Sequence, residues 1–345
     1  MLNLTTHYSR SFRKRLLWIL LPALALLLCV TTLVAHASMQ SYSEYHIPTA
    51  GSGPSGVAFG RDGNLWFTEC LAFKIGRLDP KTGKITEFAI PTAGSKPVYM
   101  AADHYGNLWF TEYDTNKVTR IDPGDKHGHE HVKMTEFTIP THDSGPVIVT
   151  EGPDGNIWFT EDKVHQIGRL NPRNGKITEY PIPTPNAQPH GLAVGADGNL
   201  WFTEESGNKI GRITPSGQIT EYPVPTADSR PINIVAAPHG KLWFVEFSGN
   251  KVAQIDLQGK ITEYAIPTTN SLPQGITRSP DGSIWLAEFG GNKATQFNPV
   301  KGTFTEYQLL TPNSQPLSMV FDRKGKLWIA EFNGDNIGLL HLAER

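Results

Sequence analysis

Cysteine is nearly missing from this 345-residue chain, which has only Cys29 and Cys70. Cys29 lies in an apolar N-terminal run, so the remainder holds Cys70 alone and no intrachain disulfide is expected there. Stability must then come from core burial, which a domain of about 300 residues can supply without covalent staples. A strong excess of either charge is lacking too, since 31 Lys and Arg stand against 33 Asp and Glu. Such a mixed surface gives no electrostatic case for a nucleic-acid partner. No Ser-His-Asp order, Gly-rich phosphate loop or Cys-pair zinc signature occurs. The turn Ala196-Asp197-Gly198-Asn199 and its copies lack the bidentate acid that a full calcium loop needs.

Acidic residues are absent from residues 1–37, which carry Arg10, Arg13, Lys14 and Arg15 before an apolar run from Leu16 to Ala35. Ala35-His36-Ala37 then offers the small residues that a signal peptidase requires. The expectation is a signal peptide over 1–37, with an uncleaved membrane anchor as the alternative because the run is long enough to span a bilayer. Either way the rest of the chain is expected outside the cytoplasm, with membrane contact only through residues 16–35.

A tryptophan recurs seven times, at Trp66, Trp109, Trp158, Trp201, Trp243, Trp285 and Trp328, spaced by 43, 49, 43, 42, 42 and 43 residues. A period near forty with short, turn-bounded apolar runs marks a radially repeated β-unit, because one unit alone cannot bury its faces. The copy at 189–231 is the clearest. It reads as four strands around Leu192, Trp201, Ile210 and Tyr222, separated by turns at Ala196-Asp197-Gly198-Asn199, Ser206-Gly207-Asn208 and Pro215-Ser216-Gly217. The fourth-strand phrase also occurs seven times, but its first copy, Glu44-Tyr45, precedes the first Trp strand and none follows the last. The expected fold is therefore all-β: a seven-bladed propeller over 38–345, closed by Tyr42–Pro48 pairing beside the C-terminal strand near Ile337. A self-sufficient ring makes a monomer the expectation.

The phrases Gly-Asn-Leu-Trp-Phe-Thr-Glu at 198–204, Asn-Lys-Ile-Gly-Arg at 208–212 and Ile-Thr-Glu-Tyr-Pro-Ile-Pro-Thr at 177–184 resemble those of the virginiamycin B lyase family, over about residues 42–340. The resemblance implies a Mg²⁺-dependent carbon–oxygen lyase that opens the ester of a cyclic depsipeptide antibiotic by elimination, and hence antibiotic resistance. It also implies two histidines from neighbouring blades, each in a Pro-His-(Gly/Ala)-Ile phrase, with a Glu two residues before one and a further Glu in the site. Here the phrase occurs once, at Pro189-His190-Gly191-Leu192. The matching positions elsewhere are Ser55, Val98, Val147, Ile232, Gln274 and Leu317, and the place two before His190 holds Gln188. Arg230 stands two before Ile232, and Glu204 lies near the place of the further Glu.

His190 and Glu204 are thus the candidate catalytic pair, with Ser55, Tyr99, Gln188, Asn233, Gln274 and Ser318 as candidate ligand contacts at innermost-strand starts. The ligand is expected to be a small molecule on the channel face, either transformed or simply bound by a non-catalytic propeller. Seven glutamates, Glu69, Glu112, Glu161, Glu204, Glu246, Glu288 and Glu331, end the Trp strands. A residue present in every blade answers a need of every blade. The lysines five positions on, such as Lys74 and Lys209, are expected to pair with them across the hairpin. The insertion at 124–133 holds His127, His129 and His131, which would share one side of an extended segment and could ligate Zn²⁺ or Cu²⁺.

Overall fold

The computed structural model describes residues 35–36, 41–124 and 132–342; the expected signal peptide over 1–37, apart from residues 35–36, and the three loop histidines lie outside them. Seven antiparallel sheets of four strands follow one another, with no helix among the described residues. Blade 4 is typical, running from the innermost strand Pro189–Val194 through Leu200–Glu204 and Lys209–Ile213 to the outer Ile219–Pro223. Neighbouring innermost strands touch all the way round, so the ring is closed. Blade 7 takes its outer strand from the other end of the chain. Ser41–His46 pairs antiparallel with Asn336–His341, placing Tyr45 opposite Ile337 as the repeat phase predicts. Blade 6 carries one strand the repeat did not foretell, Ala35–His36, parallel to its outer strand Thr303–Gln308.

The core consists of seven cores between blades. Trp158 of blade 3 packs on Leu200, Phe202 and Ile213 of blade 4, and Trp201 packs likewise on Leu242, Phe244 and Ile255 of blade 5. The seventh cluster seals the ring, with Trp328 against Leu65, Phe67 and Leu78 of blade 1. All seven indoles are at most 1% exposed. Burying one indole, about 200 Å² of apolar surface, stabilises by about 5 kcal/mol, a benefit that exists only when the next blade is present. Six Trp also stack on the aromatic of their outer strand, as Trp201 does on Tyr222 at 5.5 Å, and Trp243 meets Tyr264 at a tilt.

The recurring motifs have separate physical duties. In the Asp-Gly-Asn turn the Asp carboxylate accepts the indole N–H, 3.2 Å from Asp197 to Trp201 and 3.0 Å from Asp154 to Trp158. Blades 2 and 7 move that Asp two positions earlier, to Asp103 and Asp322, and keep the bond. The third-strand Gly exists because a Cβ at Gly211 would lie 2.0 Å from the Phe202 ring. Asn208, at φ 52°, donates from Nδ2 to the Thr226 carbonyl at 2.9 Å and accepts from Ser229 N and Oγ, both at 2.9 Å. That side chain pins the link leading into the next blade.

The glutamate–lysine pairing differs from expectation. Glu69 and Lys74 stand opposite in register, yet the Lys74 ammonium turns to the outer-strand Glu87 at 3.6 Å and to Thr49 Oγ1 at 2.7 Å. Lys117, Lys209, Lys251 and Lys293 likewise choose Glu136, Glu221, Glu263 and Glu306. Glu87, Glu136, Glu179, Glu221, Glu263 and Glu44 also accept the backbone N–H of a Thr in the link leaving the preceding blade, as Glu221 does from Thr184 at 3.1 Å, and Glu306 accepts the Thr268 hydroxyl. The lysine stays near solvent, where an ion pair loses little hydration, while the sealed second-strand Glu is left to a different solution.

Candidate functional site at the channel mouth

Every innermost strand begins with Pro after a residue in the left-handed region, from Lys96 at φ 49° to Gln188 at 49° and Arg230 at 52°. A register break follows that Pro, as between Pro189 and Leu192. Backbone bonds then fix the strand start: the His190 carbonyl accepts from Thr160 Oγ1 of blade 3 at 3.0 Å, and Gly191 N donates to Thr203 Oγ1 at 2.8 Å. Because this frame repeats, blades differ at the mouth only through the residue placed after each Pro and its neighbours.

Three predicted residues are brought together there. The Tyr99 and His190 rings meet edge to face at 5.9 Å. Asn233 Nδ2 donates to Tyr99 Oη and to the Gln274 carbonyl, both at 2.9 Å. Tyr99 belongs to blade 2 and Asn233 to blade 5, so the bond spans the ring's interior. Burial pushes the Tyr99 phenol up to about 12, which keeps it neutral. The imidazole of His190 is partly buried and its Nδ1 is sealed without a hydrogen-bond partner among the described residues. Desolvation holds its pKa below the usual value, opposed by the charges of Glu205 and Asp162, so the neutral base is the form at pH 7.

Other predicted residues serve elsewhere. Glu204 is fully buried and its carboxyl interacts with Glu221, Lys209 and Thr184 within its own blade and the adjoining link. Ser55 Oγ bonds Thr68 Oγ1 at 2.9 Å and the Val98 carbonyl, while Ser318 Oγ donates to the Ser55 carbonyl. Both hydroxyls therefore stitch blades 7, 1 and 2 together. Gln188 Oε1 accepts from Ser206 Oγ, and its backbone N–H reaches His165 Nδ1 at 3.3 Å.

An acidic and aromatic arc beside His190 escaped the sequence reading. Tyr113 Oη donates to Asp162 Oδ2 at 3.2 Å, and the Tyr113 ring lies 5.0 Å from the Lys96 ammonium and 4.6 Å from that of Lys163. Burial raises the Asp162 pKa, with His190 pulling the other way. Arg230 pairs with Glu205 and covers the Phe247 ring at 5.0 Å. Tyr113, Asp162, Glu205 and Phe247 share one repeat position, the one after the invariant Glu, which Cys70, Phe289 and Phe332 hold in the other blades. A change of residue between blades directly after an unchanging Glu was the available signal, but it does not say which copies lie beside His190.

The described residues contain no group of three or more His, Cys, Asp or Glu able to hold an ion. Ile232 and Arg230 stand where the resemblance calls for a His and a Glu, and Arg230 brings a cation. The donor set around His190 does not fit Mg²⁺.

A seven-bladed propeller with a blade-specific polar cluster over one channel mouth is the class that fold and site define. Within that class, the chain belongs to the virginiamycin B lyase family, whose pattern it matches over residues 33–133 and 126–345. A streptogramin B lyase structure is similar at 39% identity and TM-score 0.82, covering 88% of this chain and 98% of that one. Selenomethionine-substituted virginiamycin B lyase from Staphylococcus aureus is similar at 37% and 0.81, covering 88% and 99%. So, with the same figures, is a catalytically inactive variant of that enzyme with quinupristin.

Proposed function

We propose that this propeller, exported as residues 1–37 imply, binds a small molecule of cyclic-depsipeptide type across the channel mouth. The observation that carries this reading is the linked set Tyr99, His190 and Asn233, drawn from three blades of an otherwise repeating ring. The quinupristin bound to a relative with the same scaffold supports the ligand class. The His190 environment favours a second reading, elimination at a ligand ester. A neutral imidazole would take the Cα proton, the Cβ–O bond would break as the alkene forms, and the carboxylate would leave without water. With Nδ1 sealed, that proton falls to Nε2.

The test incubates the purified protein with a streptogramin B, following the antibiotic by chromatographic retention and fragment masses, because elimination leaves its total mass unchanged, and the protein by thermal unfolding. Binding raises the midpoint, and Tyr99→Phe or His190→Ala lowers that rise. An opened ring that disappears in His190→Ala establishes the lyase. An unchanged antibiotic together with an unchanged midpoint rejects both readings.

A further inference from the structure

The turn joining the innermost and second strands lies at the opposite end of the blade from His190. In blades 3, 4 and 6 it reads Pro153-Asp154-Gly155-Asn156, Ala196-Asp197-Gly198-Asn199 and Pro280-Asp281-Gly282-Ser283, without a cation. Blade 7 departs from this with Arg323-Lys324-Gly325-Lys326. Next to it, on blade 1, the turn Asp79-Pro80-Lys81-Thr82-Gly83-Lys84 adds two more lysines. A cavity of about 1160 Å³ opens between these turns and the adjoining edge of blade 2. Its walls hold seven Lys or Arg and four Asp, in a chain whose net charge is −2.

The four carboxylates are already engaged by their own turns. Asp62 accepts from Asn64 and Trp66, and Asp79 from Lys81 N and Thr82 Oγ1. Asp103 accepts from Asn107 and Trp109, and Asp322 from the backbone of Lys324 and Lys326. Two of the cations are also engaged, Arg61 with Asp122 and Asn107, and Arg77 over the Trp66 and Phe88 rings. The side chains of Lys81, Lys84, Arg323, Lys324 and Lys326 form no ion pair among the described residues. Lys81, Lys84, Arg323 and Lys324 are exposed.

Five cations without ion pairs, set against four carboxylates already engaged in their turns, leave this sector a local positive excess that an anion can meet. Repetition explains the Asp of these turns, because every blade must satisfy its indole. It does not explain the concentration of cations in the blade 7 turn, where Arg323, Lys324 and Lys326 fall within four residues. We propose that this cavity is a binding site for an oligovalent oxyanion bearing phosphate groups, separate from the channel-mouth site and on the far face of the ring. Arg323 provides a fork for two oxygens, and the four lysines provide point charges along the remaining wall. The phosphates could belong to a free solute or to lipid headgroups, and the experiment separates these sources.

Calorimetry of the full chain with sodium triphosphate at low salt should show binding that weakens as salt is raised. In Lys324→Glu/Lys326→Glu it should weaken at least about tenfold, while Arg173→Glu/Lys176→Glu, the same charge change on blade 3, should leave it intact. Sedimentation with vesicles of phosphatidylglycerol and phosphatidylcholine, against phosphatidylcholine alone, tests the lipid source in the same variants. Anion-dependent capture lost in the blade 7 variant supports a headgroup ligand, and triphosphate binding without capture supports a free one. Neither signal in the parent chain, or signals indifferent to the blade 7 reversal, overturns the proposal. Streptogramin-induced stabilisation is read alongside and should be the same in all these variants, so the two sites fail independently.

Discussion

Glu204→Gln tests how the sealed second-strand glutamates are tolerated. Glu204 shows no exposure, and neither carboxyl oxygen finds a well-placed donor among the described residues. Burial first, then the charge of Glu221, raise its pKa from 4.5 to about 8. At Glu221 burial acts in the same sense but is outweighed by Thr184 and Lys209, which hold that carboxyl below its usual value. One proton on Glu204, directed at the Glu221 carboxylate, avoids two adjacent buried charges. The unfolded chain releases this proton near pH 4.5 and the folded chain near pH 8, so the folded state binds more protons between them and stability falls as pH rises. Glutamine puts an N–H donor in place of the carboxyl O–H and removes the titration. Its stability relative to the parent should climb with pH by about 1 kcal/mol per unit, or about 3 kcal/mol from pH 5 to 8, and level off above. Urea unfolding at pH 5, 6, 7, 8 and 9 measures this difference. A difference that stays flat across the series would show that the folded carboxyl is already ionised, refuting the shared-proton reasoning.

Three further substitutions probe the frame and the mouth. Gly211→Ala drives a methyl into the Phe202 ring, and urea midpoints should report a loss of about 3 kcal/mol. Asn208→Ala removes the clasp on Thr226 and Ser229, and should cost about 2 kcal/mol by the same assay, with native circular dichroism retained. Tyr99→Phe deletes the acceptor for Asn233 but leaves the Gln274 carbonyl, so thermal unfolding should show a cost near 1 kcal/mol.

The ring was legible because Trp, Phe and Leu recur with a period set by one blade, and a misplaced Glu44-Tyr45 phrase announced how it closes. Local register was legible too, yet it named the wrong partner for Lys74. Opposition across a hairpin does not fix where a long ammonium ends, and hydration drew this one outward to Glu87 and Thr49. His190 stood out as the one histidine among equivalents that are otherwise Ser, Val, Ile, Gln or Leu. Asp162 and Tyr113 did not, because the position after the invariant Glu takes five residue types over the seven blades and the sequence alone gives no sign of which variation faces a neighbour. Likewise Ser55 and Ser318 looked available in sequence, but their hydroxyls are taken by backbone carbonyls of adjoining blades.

The pairing of Ser41–His46 with Asn336–His341 also bears on how the protein is made. The segment translated first is the last to find its place, since its partner leaves the ribosome nearly three hundred residues later. Until then blade 1 has no Trp328 against Phe67, and the nascent chain presents two bare flanks. Chaperone occupancy and proteolytic nicking of stalled chains should therefore remain high until His341 emerges, then fall within a single step.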